Sequence, residues 1–270
     1  MNRLKAKQIV VVAIVIALAA LVGLLVSCLT APTEDIGGDE YKGGLVWNNF
    51  TLTISGGIGE LPTGVQNKDF ARCKACHGWD TRGLKGGYVR RTGYPEKDSR
   101  PKPVEEADLG SKLGKIKPAD VAYVHGRDWA SENNEMPNFT QTGGLTNQQI
   151  ADVVAFLNKG PKIIDVAELD TSQKPVRYIF NNADPTAGTD LYGKTCLLCH
   201  GADGNQLEPH LIDYFRSDGK YSEGFHKMIY GADERMTRAV AGNLTAQQAA
   251  NILAWIQTQA DDPNKTGFSR

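Results

Sequence analysis

Two short runs in this 270-residue chain combine residue types that can do chemistry together: Cys73-Lys74-Ala75-Cys76-His77 and Cys196-Leu197-Leu198-Cys199-His200. In each, two thiols stand two residues apart and a histidine follows the second thiol directly. On a turn of helix this spacing offers both sulfurs to the two vinyl groups of a haem as thioethers. The adjacent imidazole is then directed at the iron. Zinc asks for a second thiol pair or spaced histidines, and a histidine abutting a cysteine is poorly placed in the same tetrahedron. A redox or structural disulfide leaves both histidines and the duplication unexplained. The expectation is two covalently bound haem c groups on Cys73, Cys76, Cys196 and Cys199, with His77 and His200 as iron ligands.

A six-coordinate iron needs a ligand on its other face. Met136 lies nine residues before Leu145 and Met236 eight before Leu244, and this parallel placement nominates the two methionines. Met228 and His226 are rivals for the second iron, with His210 weaker, and His125 is the rival for the first. A methionine ahead of a helix can also simply fill a core.

The elements that position these residues repeat. Leu145-Thr146-Asn147-Gln148-Gln149 recurs 99 residues later as Leu244-Thr245-Ala246-Gln247-Gln248. Each run predicts a helix with a threonine N-cap, a glutamine three residues on and apolar residues at helical spacing. The cysteine pairs repeat instead at 123, so the first unit carries about 24 extra residues between its motif and its last helix, within 79 to 120. The reading divides the chain into a membrane segment (1–28), a glycine-broken tether (29–60), a first domain (61–160), a linker (161–184), a second domain (185–262) and a tail (263–270). Within the tether, Gly43-Gly44 reads as a breaker and Leu45 to Ile54 as a short strand or hairpin around Asn48-Asn49. Domains this small usually need a staple such as a metal or bound cofactor.

On these motifs the chain resembles the class I cytochrome c family, in a two-domain, two-haem form. The resemblance runs through Cys73 to Gly78, Met136-Pro137 and the Leu-Thr helix, then through Gly188, Leu191-Tyr192, Cys196 to Gly201, Met236 and the final helix. It implies an all-α fold wrapped on haem, attachment of haem in the periplasm, and electron transfer without catalysis. It also implies redox proteins as partners: a membrane quinol-oxidising complex, a dehydrogenase or a terminal reductase. The first half departs from the second in having Phe70 three residues before its motif where Tyr192 stands four before. The glycine-rich, basic insert lacks the ending of a phosphate loop. Its Arg90, Arg91 and Arg100 are candidates to pair with haem propionates. A redox enzyme of peroxidase or thiosulfate-oxidising type would need an open iron, and a subunit of a larger respiratory complex would share the chemistry but not the partners.

Arg3, Lys5 and Lys7 precede an unbroken apolar run of 18 residues, Ile9 to Val26, long enough to span a bilayer. Leu25-Val26-Ser27-Cys28 also resembles a lipobox, with Cys28 as the lipidated residue. Either reading places the remainder on the periplasmic side of a bacterial membrane. Thirty basic against 31 acidic side chains give a net charge of -1, which offers no footprint for a nucleic-acid backbone.

Overall fold

The structure is a computed structural model that describes residues 37–57, 59–61, 68–90, 107–122, 144–204, 206–207, 210–217, 220–262 and 265. The apolar run 9–26 and Cys28 lie outside the described residues, and so do His125, Met136, Arg91 and Arg100. Among the described residues no helix is long and apolar enough to cross a membrane. Residues from Gly37 onward form one compact unit.

Two helix pairs organise that unit. Helix α1 (Glu40–Asn48) opens on Asp39, whose carboxylate accepts from the amides of Tyr41 and Lys42. Two short helices follow in the chain, α2 (Lys74–His77) and α3 (Pro118–Ala122). Helix α4 (Asn147–Lys159) starts with the expected capping box between Thr146 and Gln149, and α1 packs along it. The second pair repeats the first. Helix α5 (Pro185–Thr195) opens on Asp184 and a proline at its start, and α6 (Leu197–His200) carries the second motif. The short α7 (Leu211–Phe215) and α8 (Lys220–Tyr230) lead to α9 (Ala246–Asp261), whose capping box is built by Thr245 and Gln248. Helix α5 crosses α9 as α1 crosses α4.

The described part of the expected tether is therefore structure, and the strand expected at Leu45 to Ile54 is a helix followed by a 3-10 turn. Gly43 is no breaker. A Cβ there would lie 2.5 Å from the carbonyl carbon of Asp152 and 2.7 Å from Phe156 Cβ, so its missing side chain lets α1 reach α4. Gly188 plays the same part between α5 and α9, facing the Asn251 carbonyl. The caps match too: Asp39 N–H donates to Asp152 Oδ1 at 2.8 Å and Asp184 N–H to Asn251 Oδ1 at 3.0 Å.

The expected linker also has structure. Strands β1 (Ala167–Asp170) and β2 (Arg177–Phe180) pair antiparallel in register Ala167 to Phe180, a small departure from all-α. Tyr178 on β2 donates to Asp80 Oδ2 at 2.8 Å, and the Gly87 amide donates to the same oxygen at 2.6 Å. Asp80 is 1% exposed; burial pushes its carboxyl upward while these donors oppose the shift. The insert and the hairpin are thereby tied together.

Candidate haem attachment sites

Each cysteine-histidine motif folds as one turn of helix ended by a glycine with positive φ, Gly78 at 78° and Gly201 at 76°. The four cysteines of the two motifs lie in no disulfide. Among the described residues no group of three or more His, Cys, Asp or Glu converges as a metal cage. Burial pushes the Cys73 thiol up to about 12, an environment that favours an uncharged sulfur over a thiolate ligand.

The motifs are hung on the two helix pairs in the same way. Trp47, 2% exposed on α1, donates from Nε1 to the Gly78 carbonyl at 3.0 Å. Tyr192 on α5 donates from its hydroxyl to the Gly201 carbonyl at 2.7 Å. The counterpart of Tyr192 is thus Trp47 and not Phe70. The signal was present in the sequence as Asp39-x-x-x-Gly43-x-x-x-Trp47 against Asp184-x-x-x-Gly188-x-x-x-Tyr192, offset by 145. The Trp47 ring also packs 5.5 Å from His77 and 5.3 Å from Phe156.

His77 Nδ1 donates to the Ala107 carbonyl at 2.7 Å, which fixes its tautomer and leaves Nε2 with a lone pair for iron. Burial holds this imidazole below its ordinary pKa, and the same cause lowers His200. His200 Nδ1 is buried with no hydrogen-bond partner among the described residues. Thiols outside disulfides and imidazoles whose charged form is disfavoured are donors of the kind a covalent haem requires, and His77 is in addition oriented by its bond to Ala107.

Met236 is half-buried and packs against the core. Its loop is closed by Ala232 N–H donating to Met236 O at 2.7 Å, and Asp233 Oδ1 accepts from the Met236 amide at 3.2 Å. The chain then returns to the second motif: a Cβ on Gly242 would lie 2.8 Å from Thr195 Cγ2, next to Cys196. Met228 is buried in the core. His226, 2% exposed, donates from Nε2 to the Gly44 carbonyl of α1 at 2.8 Å. Its ring stacks 5.0 Å from Trp79, 5.7 Å from Phe156 and 4.7 Å from Tyr230. Arg90 donates to the Thr171 carbonyl of the hairpin, with its Nη1 buried and unpartnered among the described residues.

His226 gives the fold a pH dependence. Burial drives its imidazole down to about 3, helped by Lys74 and Lys227 and opposed by the Gly44 carbonyl and Glu223. The unfolded chain takes up a proton near pH 6.5 and the folded chain does not. The stabilisation is complete above that pH and is lost as pH falls toward 3, at up to about 1.4 kcal/mol per pH unit. Thermal melts of the full chain at pH 7 and pH 5 are expected to show a larger drop for the natural chain than for His226→Gln. The amide can still donate to Gly44 without titrating, and equal drops would remove His226 as the cause.

Compared with known families, residues 67–161 match the family model described as Cytochrome c, and residues 183–256 match that described as Cytochrome C oxidase, cbb3-type, subunit III. Together they take in well over half of the chain, with α1 ahead of the first match. No curated protein and no solved structure matches.

Proposed function

Because the chain belongs to the class I cytochrome c family, as a tandem of two of its domains, we propose that it is a membrane-attached, periplasmic carrier of electrons with two haems. The observation that carries this reading is the twin suspension of the motifs, Trp47 on Gly78 and Tyr192 on Gly201. Covalent haem supplies a one-electron couple at each motif. Cys73 with Cys76 and Cys196 with Cys199 anchor it, and His77 and His200 offer neutral imidazole nitrogens. Met136 and Met236 are the proposed sixth ligands; a thioether raises the potential, and a closed iron favours transfer over catalysis. The run Ile9 to Val26, or lipid on Cys28, is the proposed attachment. The partners in this reading are a quinol-oxidising complex or dehydrogenase as donor and a terminal reductase or another periplasmic redox protein as acceptor.

The test is a haem count by alkaline pyridine spectrum, with low-temperature EPR of the ferric protein. Two haems per chain with low-spin His/Met signatures are expected, and Met236→Ala should turn one of them high-spin. Two unchanged low-spin signals in that variant would assign the second iron another ligand, and a high-spin iron in the natural protein would argue for an enzyme.

The match of 183–256 to a cbb3-type subunit III model favours a second reading, a subunit of a larger respiratory complex. Stoichiometric co-migration with other chains from native membranes would support it, and migration alone would count against it.

A further inference from the structure

The two motifs sit in opposite surroundings. Over the first, α8 lays Glu223 with His226 and Lys227, three and four residues further on and so on the Glu223 side of the helix. His226 stacks on Trp79 at 5.0 Å, and the Lys74 ammonium of the motif lies 4.0 Å over the same indole. Glu223, bridged to Lys220 at 2.9 Å and Lys227 at 2.8 Å, acts with Asp69 on Lys74. Ala75, inside the motif, is buried. Among the described residues the second motif carries no such cover: Leu198 is 91% exposed, Leu197 is exposed and so is Cys199.

From this asymmetry, and resting on the two-haem reading above, we propose that the chain exchanges electrons with its surroundings at the second motif, and that the first motif is served through the second unit. Tunnelling weakens exponentially with separation, so a donor held off by a helix and two aromatic rings is outcompeted by one that meets an uncovered turn. The internal leg is held rigid. His226 bonds to Gly44, Asn48 donates to the Ala232 carbonyl at 3.2 Å, and Tyr230 donates to the Pro161 carbonyl at 2.5 Å. These bonds tie α8 and the loop after it to α1 and to the residues after α4.

Cover and exchange are measured separately on the haem-loaded full chain. Acetylation of lysines followed by peptide mass spectrometry should modify the exposed Lys194 about tenfold faster than the half-buried Lys74, whose ammonium lies over Trp79 beneath α8. Burial holds the Lys74 ammonium down to about 7, and a Lys74 without that cover would lose the shift and react at about the Lys194 rate. Slow labelling therefore reports the cover alone, and labelling at the Lys194 rate overturns it.

Exchange is read by stopped-flow reduction with an anionic reductant at low salt. Leu198→Asp should slow reduction several-fold, an effect that salt abolishes. Lys112→Glu, a larger charge change at an exposed site whose field reaches His77, should leave the rate within about 1.5-fold. Equal slowing by the two, or none from Leu198→Asp, overturns the assignment. Fewer than two haems per chain would instead sink the two-haem reading and this inference with it, whereas two haems with equal slowing sinks the inference alone.

Discussion

Replacing Cys73 and Cys76 together by serine is expected to halve the covalent haem of the chain, and Cys196 with Cys199 should do the same. A hydroxyl does not add to a haem vinyl group under conditions where a thiol does, so each double variant loses one attachment and leaves the other intact. The two losses differ in their structural consequence. His77 lies against Trp47, which packs on Phe156 at the centre of the core, and α8 closes over the same motif. Emptying the first site therefore loosens both units, whereas the second motif stands largely in solvent and its loss acts on one unit. Haem staining after denaturing electrophoresis gives the count, and the melting temperature gives the asymmetry. Full staining in either variant would remove that motif as an attachment site.

The motif turns and the two capped helices were legible because each is local: Cys73 to His77 fits within one turn, and Thr146 with Gln149 within another. What failed was register. Gly43 and Cys73 are 30 residues apart, whereas Gly188 and Cys196 are 8 apart, so the first unit has 22 more residues between its helix glycine and its motif than the second. The repeat thus runs at 145, then 123, then 99, and a search at one offset loses the first helix. Gly43-Gly44 compounded the error, since a glycine pair reads as a breaker until a partner helix is known to need the space. His226 shows the other limit. A lone histidine on an amphipathic helix reads as a surface group or a ligand, and only the approach of α1 makes it a buried hydrogen-bond donor. The hairpin escaped because Ala167-Glu168-Leu169-Asp170, although it alternates, is only four residues long and holds no β-branched or aromatic side chain.

The two glycines of α5 separate packing from propensity with opposite signs. Helix propensity alone favours alanine over glycine by about 1 kcal/mol at any interior position. Gly193 faces open space, so Gly193→Ala should stabilise the chain by up to that amount. At Gly188 a Cβ would lie 2.6 Å from the Asn251 carbonyl carbon and 3.1 Å from the Ile252 amide, and both are backbone of α9 that no rotamer change can move. Relief requires the helices to separate, which uncovers Tyr192 and strains its hydrogen bond to Gly201. Gly188→Ala should therefore destabilise by on the order of 3 kcal/mol, and valine by more. Gly43→Ala should do the same in the first unit, through Asp152 and Phe156. Denaturant melts of the three haem-loaded variants read the signs. If Gly188→Ala matched Gly193→Ala, the crossing of α5 on α9 would not be the contact that fixes the second motif. A loss at Gly188 with a gain five residues away on the same helix can come only from that crossing.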